Sequence, residues 1–593
     1  MDPRSDRRAF IVRSASAVAT VVAGAGLAAC GSDDAPPAEF KYGVASGDPL
    51  ADRVILWTHA KAADRSDPIP LTWQVATDAS FASVIASGRI QATSDTGHTA
   101  KVDAIGLAAG TAYFYRFFDE VGSISPVGTT RTLPKADATS VKFAVFSCSL
   151  YPAGFFNAYD AAVKSDAQYA LHLGDYIYEY GAEATGFGNA DAVSLGRVVS
   201  PAKEIVSLDD YRTRYAQYRA DPMLQALHAK MPMIAVWDDH EFTNNAWTGG
   251  AENHTSATEG DWTARKTAAA RAWHEWLPTR PDSSGDLLKI YRRFDFASLL
   301  TLHMLDTRIE GRDRQYDDFG DADGGLSRDA TALATGADTS RRLISATQQA
   351  WLIDGVIRSN ATWQVLGNQD IMARMWLPAS VLQAQNAALA SPTAQNQAAV
   401  SSAISAYLGA KAVRASAGAG ALSASQAALL STTTNPRLPY NLDAWDGYPS
   451  NREAILQTIK AQGRRLVTLS GDSHNGWFAN LTTLAGEKVG VEFAGTSVTS
   501  PGFESVGLGP LAGSLDGSAL AAQLGNAAIG AGLGLVDDLN YVDTVRRGYL
   551  LLTVTATSVK GEYAYVDTIK SRTYSVSVGR TVTVSDTGTI AYA

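Results

Sequence analysis

Tyr169-Ala170-Leu171-His172-Leu173-Gly174-Asp175-Tyr176-Ile177-Tyr178-Glu179 is the stretch on which the fold turns. A short apolar run of strand length passes through one glycine straight into acidic and phenolic side chains. The same grammar recurs four times. Val141 to Phe146 runs into Ser147-Cys148, and Met233 to Trp237 into Asp238-Asp239-His240-Glu241. Trp363 to Leu366 runs into Gly367-Asn368-Gln369-Asp370, and Leu466 to Ser470 into Gly471-Asp472-Ser473-His474. Buried-type strands that alternate with helical patterns predict a layered α/β domain. In such domains ligands collect beyond the carboxyl ends of the strands. Five ends of this kind would bring Cys, Asp, Tyr, Asn and His into one crevice. Carboxylate and phenolate oxygens, one thiolate and one imidazole could there hold two or more cations. One cluster alone, such as Asp238-Asp239-His240-Glu241, reads equally well as a turn with a helix cap, so the repetition carries the argument.

Upstream of Val141 the pattern is all-β. Val54 to Trp57, Leu71 to Val75, Phe81 to Ile85 and Ala112 to Phe117 read as strands separated by turn formers. Leu107-Ala108-Ala109-Gly110-Thr111-Ala112-Tyr113 looks like the turn and tyrosine of an immunoglobulin or fibronectin-type sandwich. Downstream, Phe155, Phe156, Tyr159, Ala162 and Val163 follow helical spacing, and Tyr549 to Val554 and Thr581 to Val584 read as late strands. An Ala/Ser/Gln-rich segment at about 379–436, helical in pattern from Ser402 to Val413, reads as an insertion or lid. The expected organisation is therefore a signal at 1–30, a tether at 31–39, a β-sandwich at 40–134 and a catalytic domain at 141–593.

The 593-residue chain is too long for one ordinary core. Its 46% apolar and 9% aromatic content suits a globular protein. A net charge of −10 lacks the basic character of a nucleic-acid binder, and no such partner is expected.

Asp6-Arg7-Arg8-Ala9-Phe10-Ile11 resembles a twin-arginine export signal, with Asp6 where Ser or Thr is usual and Ile11 where Leu is usual. The apolar stretch Ser14 to Ala29 is short for a span of about 20 residues. It ends in Leu27-Ala28-Ala29-Cys30-Gly31, which looks like a bacterial lipobox, with Cys30 as the lipidated residue. The expectation is an exported protein, carried by the twin-arginine machinery, periplasmic or at the cell surface and lipid-anchored through Cys30. Cys148, the other cysteine, has a better explanation as a ligand than as its disulfide partner.

The strand-end phrases also carry a resemblance. Phe146-Ser147-Cys148, Gly174 to Glu179, Trp237 to Glu241, Gly471 to His474 and Tyr440-Asn441-Leu442-Asp443-Ala444-Trp445-Asp446-Gly447-Tyr448 resemble the PhoD-like alkaline phosphatase family. The resemblance implies a four-layer metallophosphoesterase-type β-sandwich flanked by helices, behind an N-terminal immunoglobulin-like domain. It implies Fe3+ with Ca2+ neighbours, similar to the iron site of purple acid phosphatases. Asp175 would bridge metals; Cys148, Tyr178 and His474 would bind iron; Asp239, Asn368 and Asp472 would face calcium. Asp238 would serve a further calcium or support the others from behind.

The chemistry stands without the family. Phosphate esters are anionic, so cations must neutralise them and activate the attacking water. His240, beside Asp239, could protonate the leaving alkoxide or bond the phosphoryl oxygens. Read structurally, His240 would only satisfy a turn, and Cys148 would be an inert buried thiol. The expected function is an exported alkaline phosphatase acting on phosphate monoesters, diesters or both, with Asp175 and His240 as catalytic residues. The alternatives are a phospholipase-D-like phosphodiesterase and an inactive ligand-binding lipoprotein.

Overall fold

The computed structural model describes residues 36–63, 68–316, 333, 339–506, 511–524 and 532–593. The expected export signal with Arg7 and Arg8, the lipobox cysteine Cys30 and most of the tether lie outside them. Among the described residues, no helix is long and apolar enough to cross a membrane.

Tyr169–His172 is a strand buried along its whole length. It lies between Ser140–Phe146 and Met233–Ala235, parallel to both. Burial on both faces is what a continuous apolar run requires of a parallel strand. Phe146, His172 and Ala235 share one register level, so the three chains leave the sheet at the same edge. These strands are the middle of a ten-stranded mixed sheet. A second, seven-stranded sheet has the parallel core Leu300–Met304, Trp363–Gly367, Arg465–Ser470 and Lys488–Ala494. Met304, Gly367 and Leu469 likewise share one level.

The two sheets pack face to face. Phe143 meets Phe296 edge-on at 5.0 Å, and the Trp363 indole donates to the Thr555 carbonyl at 2.8 Å. On the outside of the first sheet, Tyr159 of the helix Asn157–Val163 packs on Phe146. On the outside of the second, Ala346–Arg358 and Pro449–Ala461 bury Leu352, Val356, Ile455 and Ile459 against Leu366 and Leu466. The fold is thus the expected helix–sheet–sheet–helix arrangement.

The N-terminal strands form a sandwich of their own, but one of its sheets is shared. Val44–Gly47, Arg53–His59 and Thr99–Ile105 form one end of the ten-stranded sheet, joined to it through Gly47 opposite Met233. A four-stranded antiparallel sheet faces them, with Val54, Leu56, Val75, Tyr113 and Phe117 between. The Tyr113 hydroxyl accepts a 2.8 Å bond from the Ala108 amide, five residues back. One strand expectation needs correction. Phe81 is in a turn, with φ +59°, and the strand begins at Val84. The Asp78 carboxylate causes this by accepting from the amides of Ser80, Ala82 and Ser83.

The Ala/Ser-rich insertion is closed at its base by Trp376–Pro378 pairing with Arg437–Pro439. The helix expected at Ser402 to Val413 is the middle of a 24-residue helix, Ala394–Ala417, capped by the Thr393 side chain.

Candidate metal centre

The strand ends deliver their side chains through strained backbone. Cys148, Asp175, Asp472 and His474 have φ of +61°, +55°, +54° and +59°. This left-handed region is costly for non-glycine residues and recurs where geometry is functional. Gly174, at φ +112°, lies so close to Asp238 that a Cβ there would collide with that residue's Cβ and amide nitrogen. Glu241 fixes the crossing. Its buried carboxylate accepts from the amides of Asp175 at 3.0 Å, Tyr176 at 2.7 Å and Asp238 at 2.7 Å.

Four overlapping groups result, each with ligand atoms within 4.8 Å of one another; the fourth, Asp370, Asp443 and Asp472, shares Asp472 with the third. The first three are Cys148, Asp175 and His474; Asp175, Asp239 and His240; and Asp238, Asp239 and Asp472. Asp175 belongs to the first two, and Asp239 links the second to the third. Tyr178 joins the first group, donating to Asp175 Oδ2 at 2.9 Å with its oxygen 3.2 Å from His474 Nε2. The Ser500 hydroxyl donates to the same phenol at 2.7 Å. His474 Nδ1 is 2.7 Å from the Pro501 carbonyl and so carries the proton. Its Nε2 therefore presents a lone pair to the group. Burial holds this imidazole neutral, down to about 3. Cys148 is a free thiol.

The electrostatics call for cations. Burial pushes the Asp175 and Asp238 carboxyls well above the carboxylate range, and Asp472 to about 8. Burial, and then the charge of Asp175, push the Cys148 thiol up. Asp175 Oδ1 and Asp238 Oδ2 are buried without a hydrogen-bond partner among the described residues. Unpaired buried carboxylates are strongly disfavoured. Cations relieve that cost and keep thiolate and phenolate ionised, so the donor set fits metal ions.

Asn368 is placed differently from the others. Its Oδ1 accepts from the Trp445 indole at 2.9 Å and its Nδ2 donates to the Leu469 carbonyl at 3.0 Å. A role toward calcium rests on the remaining lone pair of Oδ1.

Several residues with no role in the sequence reading belong to the site. Arg308 is buried among Asp443 at 2.6 Å, Asp472 at 2.9 Å, Asp370 at 3.1 Å and Asp238. Its signal was legible: Leu300 to Leu305 runs into Asp306-Thr307-Arg308, a sixth strand with a polar end. Glu179 is fully buried and lies 2.6 Å from His240 Nδ1, which turns the other ring nitrogen away from it. Burial alone would discharge His240, but Asp239, Glu179 and Asp175 outweigh it and hold the imidazolium well above its usual range. Asp239 is held low in return, because His240 and Arg308 overcome its burial.

Comparisons agree with this architecture. Residues 143–563 match the family model described as PhoD-like phosphatase, and residues 26–134 match its N-terminal domain. The chain is 32% identical over 484 residues to alkaline phosphatase D of Bacillus subtilis (strain 168), covering 78% of this chain and 70% of that protein. It superposes on the solved structure of PhoD with a TM-score of 0.71 at 28% identity, covering 94% of this chain and 92% of that one. The chain is a phosphoesterase and belongs to the PhoD-like phosphatase family.

Proposed function

We propose that this phosphatase hydrolyses phosphate monoesters, diesters or both by metal-activated water, with Fe3+ and Ca2+ as its metals. The observation that carries the reading is the unbroken row of donors sharing Asp175 and Asp239. Cys148, Asp175, Tyr178 and His474 would hold iron; Asp239 and Asp472, with Asp238 and Asn368, would hold calcium. When bound, the cations polarise the phosphoryl oxygens and make water acidic enough to attack.

The chain's own residues do the rest. Asp175 spans the two donor groups and fixes their separation. Arg308 neutralises part of the charge of Asp238, Asp370, Asp443 and Asp472, which keeps that side compact. His240, held as an imidazolium, offers a proton from Nε2 to the departing alkoxide.

Tyr178→Phe tests the iron assignment. A phenolate on ferric ion absorbs visible light, so the purified wild type should be coloured and contain iron and calcium. The variant should lose or shift that band while its far-ultraviolet circular dichroism stays the same. A colourless, iron-free and fully active wild type would exclude the roles given to Cys148 and Tyr178. Comparing phosphatidylcholine with a simple monoester separates a phospholipase-D-like activity from a general phosphatase.

Export belongs to the same proposal. Arg7 and Arg8 read as the twin-arginine pair and Cys30 as the lipid acceptor of a periplasmic or cell-surface enzyme. Cys30→Ala should leave turnover intact but move the enzyme from the detergent phase to the aqueous phase. Wild-type protein found wholly in the aqueous phase, with cleavage elsewhere, would remove the anchor.

A further inference from the structure

Gly186-Phe187-Gly188 places a large apolar ring at the edge of a site otherwise lined by charge. Phe187 stacks on His474, with centroids 5.9 Å apart and planes 24° from parallel. Its edge meets Tyr180 at 6.1 Å, and Tyr180 in turn lies 5.1 Å from the His240 ring. Yet Phe187 remains 37% exposed, so the stack leaves part of the ring to solvent. Exposing a phenyl group costs the free energy that burying it would recover, about 25 cal/mol per Å² of apolar surface.

The loop that carries this ring is firmly held. The Asn189 side-chain amide donates to the carbonyls of Gly181 at 3.0 Å and Glu183 at 2.8 Å. Farther along, Arg197 forms a buried 2.7 Å ion pair with Asp221 and donates to the Tyr151 carbonyl at 2.7 Å. Both flanking glycines are closely packed, and Gly188 has a left-handed φ of +72°. A Cβ at Gly186 would press on Asn189 and Glu183, and one at Gly188 on Leu150 and Ala153. The backbone is thus packed down on either side while the side chain between stands out against His474.

We propose that Phe187, backed by Tyr180, is the specificity-determining platform of this phosphatase, on which a planar aromatic group of the substrate stacks. The substrates so favoured are phosphoesters whose esterified alcohol carries an aryl or nucleobase ring. The proposal rests on the catalytic reading above, because it needs the phosphoryl group beside His474. The gain from offset stacking beyond simple burial corresponds to roughly two- to tenfold in kcat/KM. A ring already fixed in place loses little entropy on binding, which preserves the gain.

Three esters of primary alcohols form a matched series: 2-phenylethyl, 2-cyclohexylethyl and ethyl phosphate. Their leaving groups are similar in basicity, so differences report on the ring and not on bond cleavage. Wild type should prefer the phenylethyl ester over both others in kcat/KM. Phe187→Ala should reduce the phenylethyl-to-ethyl ratio by about three- to tenfold, chiefly through KM, and Phe187→Tyr should preserve it. A phenylethyl-to-ethyl ratio unchanged within twofold in Phe187→Ala overturns the platform. So does equal preference for phenylethyl and cyclohexylethyl esters in wild type, which would indicate a bulk apolar contact. Failure of wild type to hydrolyse any of the three would instead strike the underlying monoesterase reading.

Discussion

Asp175→Asn should lower kcat by at least about 10³-fold, roughly 4 kcal/mol of transition-state stabilisation. The substitution is nearly isosteric. Asparagine tolerates the left-handed backbone that Asp175 occupies, and its carbonyl oxygen can still accept from Tyr178. The backbone amide still donates to Glu241. What disappears is the negative charge shared by the Cys148–His474 group and the Asp239–His240 group. If the two groups hold cations as proposed, losing it would weaken the hold of both, and several steps would suffer together. Added calcium should not restore the rate, because the Cys148–His474 group, proposed to hold iron, would be damaged as well. Iron and calcium should be measured beside kcat, with thermal unfolding as a check on the fold. Asp166 supplies the control: it is largely exposed and pairs with Lys142, so its change to Asn should leave turnover within about twofold. If Asp175→Asn turned over near the wild-type rate with its metals retained, the mechanism would be wrong at its centre.

The site was legible in the sequence where one physical rule wrote it repeatedly. Cys148, Asp175, Asp239, Asp472 and His474 each follow a buried strand at once, and a parallel sheet has no other place to put them than its carboxyl edge. What sequence spacing does not encode is the level at which strands align, or which distant loop closes over them. Arg308 follows a strand of the same kind, but an arginine is not a metal ligand, and its role depends on the four carboxylates that distant segments bring to it. Glu179 and Glu241 sit inside the quoted phrases, but their work is to accept particular backbone and imidazole protons, which becomes visible only with distances. Phe187 gave no periodic signal, since it lies on an irregular loop. The sandwich shows the same limit. Its strands and its tyrosine turn follow from local pattern, whereas the sharing of one sheet with the catalytic layers depends on a single residue pairing, Gly47 with Met233. The apolar pattern of Phe81 to Ile85 reads as strand from its start, but the Asp78 carboxylate gathers three amides and makes its first residues a turn.

His240→Asn should separate substrates by how much their leaving group needs a proton. Asparagine fits the same buried turn but cannot act as an acid. For an alkyl phosphate, whose alkoxide is a poor leaving group, the loss in kcat should reach about 10²–10³-fold, the range of general acid catalysis. For 4-nitrophenyl phosphate, whose phenolate departs readily as an anion, the loss should be much smaller. Glu179→Gln provides the second arm. Its carboxylate lies 2.6 Å from His240 Nδ1 and, with Asp239 and Asp175, opposes the burial that would otherwise discharge the ring. A group whose folded pKa is raised keeps its proton until pH rises through that raised value. Removing the Glu179 charge lowers the value, so the alkaline limb of the alkyl phosphate profile should move to lower pH. The profile for 4-nitrophenyl phosphate should hold its alkaline limb, because that reaction does not depend on the proton. Equal losses for both esters in His240→Asn, with the alkaline limb unmoved in Glu179→Gln, would mean that His240 only positions the phosphoryl group. In that case the leaving alkoxide would have to take its proton from a group other than these rings, since His474 donates its one proton to Pro501 and Tyr178, as the phenolate proposed to hold iron, has none to give.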